Sequence, residues 1–165
     1  LAPDGKKLSK RFGNYTDPNI LLDKFGADPI RLYLLKSPLT YAEPLKFSEL
    51  ELERLKKQFI PLFNAVKFWT EHTINYCKQN GTITKSKDYY KNNVMDIWII
   101  GELRELIKSV SDKMNNYEIS RAVQFIIDFI EPLTNWYIKL NRNRLKGLNG
   151  NNEWVNSINV LGDVI

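Results

Sequence analysis

Apolar residues recur at helical spacing along three long stretches. The first carries Leu52, Leu55, Phe59, Leu62, Phe63, Val66 and Trp69, a period near 3.6 residues that predicts an amphipathic helix. Ser48 and Glu51 precede it in a capping-box pattern. Pro61 lies inside it, where the missing N–H predicts a kink. The pattern fades near Tyr76-Cys77, and residues 78–93 are polar, with Asn80-Gly81 as a turn. A second helix is predicted from about Val94 to Met114, on a narrow stripe of Ile99, Leu103, Leu106, Val110 and Met114. A third runs from about Glu118 to Leu145 through Val123, Ile126, Ile127, Ile130, Leu133, Trp136, Tyr137 and Leu140. Pro132 predicts a kink there too. Trp69, Trp98, Trp136 and Trp154 all sit in these helical patterns, which assigns them to core packing.

Two shorter helices come before the long ones. Asp17-Pro18 supplies an N-cap and a proline at the first helical position, and Gly26 fits the position after the end. Asp28-Pro29 repeats the device for Ile30 to Lys36, and Ser37-Pro38 ends it, because the residue before proline avoids the α region. No strand alternation and no internal repeat stand out. The expected architecture is all-α, an antiparallel helical bundle preceded by a loop and two short helices. The expected division is 1–46, 47–152 and 153–165. The chain begins with Leu1, and Trp154 to Ile165 keeps helical spacing to the last residue. The sequence is therefore expected to be a piece of a longer protein.

Composition narrows the classes. With 165 residues, 43% hydrophobic and 12% aromatic, the chain can bury a core that a disordered sequence could not. The single cysteine, Cys77, excludes an internal disulfide and a Cys-rich zinc site. No apolar run approaches the ~20 residues of a membrane span. Twenty-four Lys and Arg against nineteen Asp and Glu give a net charge of +5, which suits an anionic partner such as RNA without requiring one.

The basic residues concentrate chemistry at the start. Lys6, Lys7, Lys10 and Arg11 face only Asp4 in charge, and Gly5 and Gly13 loosen the backbone. Two lysines separated by two residues, with Ser9 beside the second, suit a polyphosphate. A mobile loop of this kind can place charge where it develops in a transition state. Lys7-Leu8-Ser9-Lys10-Arg11 resembles the KMSKS signature of class I aminoacyl-tRNA synthetases, with Leu8 for Met and Arg11 for the final Ser. Asn14-Tyr15-Thr16-Asp17-Pro18 is similar to that family's N-Y-P-D-P. Gly26-Ala27-Asp28-Pro29-Ile30-Arg31-Leu32-Tyr33-Leu34 resembles its GADALRLYL.

Later segments point within the class. Ser37-Pro38 through Ala42-Glu43 to Leu45-Lys46-Phe47 is similar to the S-P…A-E-x-L-R-F of isoleucyl-tRNA synthetases, and Pro61-Leu62-Phe63-Asn64-Ala65 to their P-W-Y-N-A. Asn93-Val94-Met95-Asp96-Ile97-Trp98-Ile99 resembles N-x-x-D-x-W-I-L. Leu133-Thr134-Asn135-Trp136-Tyr137-Ile138 with Asn141 to Gly147 resembles the L-T-N-W-Y-V-R-x-N-R-R-R-L-K-G of the eukaryotic cytoplasmic form. The resemblance implies a parent that activates isoleucine with ATP and Mg²⁺ and transfers it to tRNA(Ile) in the cytoplasm. It implies catalytic roles for Lys7, Ser9 and Lys10, and ATP contact along Lys7, Leu8, Ser9, Lys10 and Arg11. The bundle would pack on the anticodon arm through Lys139, Arg142, Arg144 and Lys146. Lys139, Arg142 and Lys146 fall on one side of the third helix at ~100° per residue. Arg144 points nearer the apolar side, where it can snorkel. Nothing in the sequence matches the HIGH motif, so the chain alone is not expected to be active.

The alternatives are another class I synthetase (valyl, leucyl or methionyl), a non-enzymatic helical RNA-binding module, or a helical interaction domain. His72 has no partners at metal-ligand spacing and reads as structural or surface, and no metal site is expected. Cys77 reads as an ordinary thiol, and Asp28 with Arg31 as a structural pair.

Overall fold

The computed structural model describes residues 1, 5–9, 11 and 16–165. The described residues are 75% helical, with no strand, and form the all-α antiparallel bundle expected. Helix α1, Pro18–Phe25, starts as the sequence dictates: the Asp17 carboxylate accepts from the Asn19 N–H, and Pro18 needs no donor there. Gly26 closes it at φ 85°, donating its N–H to the Leu22 carbonyl. Helix α2, Ala27–Lys36, begins earlier than expected. Gly26 occupies its N-cap, and Asp28 falls within the first turn, where it pairs with Arg31 at 2.9 Å. A single 3₁₀ turn, Pro38–Tyr41, follows.

Helix α3, Glu49–Asn80, is the longest element and outruns its fading pattern. It starts with the Glu51 N–H on the Ser48 hydroxyl at 3.4 Å and runs through Pro61 without ending. Helix α4 is Val94–Asn115 and helix α5 is Ile119–Glu131. The expected third long helix is not continuous. A π-helical segment, Pro132–Ile138, follows α5, then a short helix α6, Arg142–Leu145, and helix α7, Asn151–Val164.

The buried stripe runs on through that π segment. The buried positions here are Ile130, Leu133, Tyr137, Asn141, Arg144 and Leu145, a stripe spaced three to four residues apart. Trp136 and Leu140, expected in the core, are 57% and 61% exposed. On α3 the same correction applies to Phe63 and Val66, which face outward while Ala65 is buried.

The chain forms two compact units. One comprises 1–59 with 109–127, the other 60–108 with 128–165. Helices α3, α4 and α5 each contribute to both. In the first unit Leu21, Phe25, Tyr33, Leu52 and Leu55 are buried. The Tyr33 hydroxyl accepts the Ser48 N–H at 2.9 Å, tying α2 to the start of α3. In the second, Ile99, Leu133, Tyr137, Leu145, Val160 and Leu161 form the core. Trp154 and Ile158 of α7 pack with Tyr76, and the Trp69 indole N–H donates to the Ile158 carbonyl at 3.0 Å.

Candidate RNA-facing site and phosphate loop

The four basic residues of the stretch 139–146 sort into two sets. Lys139, Arg142 and Lys146 are exposed. Arg144 is 7% exposed and Asp96 0%. The Arg144 guanidinium makes a fork to both carboxylate oxygens of Asp96, at 2.9 and 2.8 Å. It also donates to Asn141 Oδ1 at 2.7 Å and to Glu153 at 2.5 Å. The Tyr137 hydroxyl donates to the same Asp96 oxygen at 2.7 Å. Burial opposes the arginine charge, yet the hydrogen bonds and charge of Asp96, with Glu153 adding, outweigh it and hold the guanidinium pKa above its ordinary value. Burial first, then the Asp96 charge, raises the Tyr137 phenol well above its usual range. Arg144 gives its donors to Asp96 of α4, to Asn141 just before α6 and to Glu153 of α7, so it presents no exposed guanidinium for the RNA contact expected of it.

The exposed cations meet a different surface. Lys139 and Arg142 border a cavity of about 410 Å³ lined by Pro61, Asn64, Ala65 and Phe68 of α3 and by Thr134 and Ile138 of the π segment. His72, one turn beyond Phe68, packs edge-on against its ring with centroids 4.3 Å apart. Burial, then the charges of Lys146 and Arg142, lower the His72 pKa, with Glu71 opposing them. Sequence reading left His72, Asn64 and Phe68 outside the site. Their shared face was nevertheless visible, since 61, 64, 65, 68 and 72 follow the helical period.

At the start of the chain, Lys6 and Lys7 are exposed and Leu8 and Ser9 half-buried. The Ser9 hydroxyl accepts the Arg11 N–H at 3.3 Å. Lys10, and with it the Asn14-Tyr15 motif, lies outside the described residues. Leu1 brackets the approach to α3, its N donating to the Leu45 carbonyl at 2.6 Å and its carbonyl accepting from the Phe47 N–H at 2.8 Å. Among the described residues, no cluster of three or more His, Cys, Asp or Glu side chains is placed to hold a metal ion. No helix there is long and apolar enough to cross a membrane.

Residues 1–46 match the family model described as tRNA synthetases class I (I, L, M and V). Residues 96–165 match the one described as the anticodon-binding domain of tRNA ligase. Along its whole length the chain is 40% identical to the cytoplasmic isoleucine–tRNA ligase of Schizosaccharomyces pombe. It is 42% identical to the probable cytoplasmic isoleucine–tRNA ligase of Dictyostelium discoideum, and 40% to the cytoplasmic enzyme of Saccharomyces cerevisiae. The chain belongs to the isoleucyl-tRNA synthetase family. It spans 16% of the length of each of those three relatives. Its fold resembles the corresponding part of the LeuRS of Agrobacterium radiobacter, whose crystal structure is a ternary complex with tRNA and LeuAMS. The TM-score is 0.64 at 21% identity, over 99% of this chain and 19% of that one. Within the isoleucyl-tRNA synthetase frame, residues 6–11 fall in the class I match, and Asp96, Lys139, Arg142, Arg144 and Lys146 in the anticodon-domain match.

Proposed function

We propose that this chain is the part of an isoleucine–tRNA ligase that couples the ATP loop to tRNA binding. The whole enzyme would activate isoleucine with ATP and Mg²⁺, giving isoleucyl-adenylate and pyrophosphate, then pass the acyl group to tRNA(Ile), in the cytoplasm. In this reading Lys7 and Lys10 stabilise the triphosphate as pyrophosphate leaves. Ser9 orients the loop or donates a hydrogen bond, and Leu8 completes the ATP contact with Arg11 in support. Residues 1–46 close the catalytic domain, 47–152 form the tRNA-facing bundle, and 153–165 begin a further helical part. Lys139, Arg142 and Lys146 meet tRNA phosphates, and Arg144 braces them from inside.

The observation that carries this reading is the order of matches on one chain. A class I synthetase segment at 1–46 precedes an anticodon-binding segment at 96–165. The physics of the loop agrees, because a preorganised charged donor at a developing charge contributes about 2.7–4 kcal/mol of barrier lowering. The test is amino-acid-dependent ATP–pyrophosphate exchange by the full-length protein. Isoleucine is expected to outrun valine, leucine and methionine, and Lys10→Ala to lower exchange by about 10²–10³. Preference for another amino acid would keep the class and reject isoleucine. A folded protein with no exchange would favour the non-enzymatic RNA module.

A further inference from the structure

We infer that the cavity between the end of α2 and the first turns of α3 binds a free α-amino acid with an apolar side chain, its carboxylate on Lys36 and Arg54 and its ammonium on Glu51. The cavity lies wholly within the first unit. The inference is independent of the tRNA reading above, and either can fail alone.

Three observations carry it. The first is charge of both signs. Lys36, Glu51 and Arg54 all line the cavity. Among the described residues, no side chain forms an ion pair with any of the three. Glu51 and Arg54 are three residues apart on α3. At the same spacing Asp28 meets Arg31 at 2.9 Å and Glu118 meets Arg121 at 2.5 Å, whereas Glu51 and Arg54 stay apart. The Glu51 charge acts instead on Tyr33, which also lines the cavity. Burial raises the Tyr33 phenol pKa first, the Ser48 N–H opposes that, and Glu51 adds to the rise. Two cations alone would accept any anion. A carboxylate beside them repels a plain anion and selects a molecule that carries both signs.

The second observation is size. A volume of about 310 Å³ is room for about ten water-sized groups at ~30 Å³ each. One amino acid of leucine or isoleucine size fits that space, and a nucleotide is too large for it. Leu45, Leu55 and Pro38 supply apolar wall for the side chain.

The third is a wall that is already formed. Residues 37–45 close one side. The Ser37 hydroxyl donates to the Leu34 carbonyl at 2.6 Å and accepts the Leu39 N–H at 3.4 Å. The Thr40 hydroxyl donates to the Ser37 carbonyl at 3.0 Å, and the Glu43 N–H to the Pro38 carbonyl at 3.2 Å. Ala42 is held at φ 60°, ψ 22°, the left-handed region that residues with a Cβ rarely adopt. Such strain persists only where the surroundings over-determine it, and ligand clamps are among the places that keep it. A fixed wall needs no ordering when the ligand enters.

The test is an NMR titration of the 165-residue chain, read at the Leu45 and Leu55 methyl groups and the Tyr33 ring. The probes are L-leucine, L-isoleucine, the two halves of leucine's charge (4-methylpentanoate and 3-methylbutylamine), and inorganic phosphate. At least one amino acid is expected to shift all three reporters saturably, and each half-molecule to bind at least tenfold more weakly. Arg54→Gln is expected to weaken leucine about tenfold. Glu51→Gln is expected to weaken leucine and strengthen 4-methylpentanoate. Both residues are exposed on α3, and the dispersion of the methyl spectrum verifies that each variant is folded. If 4-methylpentanoate or phosphate bound as well as leucine, the site would be a plain anion site and the inference would be overturned. It would be overturned as well if neither amino acid gave a saturable shift in the folded chain. Neither result bears on ATP–pyrophosphate exchange, which tests the proposed function by itself.

Discussion

Replacing Asp96 by alanine tests the centre of the second unit. Asp96 is fully buried and receives three hydrogen bonds, two from Arg144 and one from Tyr137. Deleting its carboxylate leaves the Arg144 charge, itself almost buried, with Glu153 as its one remaining anion, and that side chain is 38% exposed. Removing one partner of a buried pair costs about 3–5 kcal/mol, a large share of the ~5–15 kcal/mol that holds a domain together. With a urea slope of about 1–3 kcal/mol per molar, the unfolding midpoint should fall by roughly 2 M. The control is the double variant Asp96→Leu with Arg144→Met. It removes the stranded charge with its partner, and should recover at least half of the loss. The remainder reflects the Tyr137 hydroxyl left without its acceptor, at about 1–3 kcal/mol. A loss below about 1 kcal/mol for Asp96→Ala, or a double variant no more stable than the single, would refute the claim that the cluster is a desolvated ion pair.

Two glycines should separate backbone strain from crowding. Gly147 and Gly150 both have positive φ, and alanine at either costs about 1–3 kcal/mol for the backbone alone. A Cβ at Gly147 would also lie 2.5 Å from the Trp154 ring, whereas one at Gly150 meets nothing. Gly147→Ala should therefore be worse by a further ~1–3 kcal/mol in thermal or urea unfolding. His72 gives a pH dependence of known sign. Its folded pKa lies below the unfolded value of about 6.5, so the unfolded chain takes the proton first. Stability is full above that value and declines as pH falls from it through the folded pKa. His72→Gln should flatten that decline in midpoints measured between pH 7.5 and 5.5. Charge removal at Lys139, Arg142 and Lys146 should reduce the salt slope of tRNA binding by roughly 0.7–0.9 for each phosphate no longer neutralised. Arg144→Gln should lower stability and leave the slope unchanged, as measured by fluorescence anisotropy at several salt concentrations.

Local rules made the punctuation of the fold legible. Asp17-Pro18, Gly26, Ser37-Pro38 and Ser48 each mark a boundary the structure keeps, because each acts on backbone groups within four residues of itself. The long helices were legible from period alone. What escaped was set by distant contacts. Asp96 breaks an apolar pattern and is buried all the same, since its partner lies 48 residues away. Helix α3 continues to Asn80 with Tyr76 held by Trp154 of α7, a contact no local window contains. The π segment left only Pro132 as a trace, and that signal read as a kink. Trp136 and Leu140 carry the same apolar signal as Leu133 and Tyr137 but lie off the buried stripe.

The sorting of the cations follows from the same geometry. Arg142, Arg144 and Lys146 lie on alternate positions of one short stretch. At about 100° per residue, Arg142 and Lys146 return to within ~40° of each other, while Arg144 points ~200° from Arg142. One residue type thus serves opposite ends of the dielectric range within a single turn. The inward arginine needs a fixed anion, and Asp96 supplies it from α4 at 2.8 Å. The outward pair faces water and the α3 surface around His72, where Glu71 gives the opposing negative charge and only in part. Because Arg144 is neutralised internally, it adds little to the outward field. The positive potential at the cavity comes from Lys139, Arg142 and Lys146. The stability of the turn that presents them comes from Arg144. A substitution can therefore alter anion affinity or fold stability separately within residues 142–146, which two neighbouring arginines in one shared role would not allow.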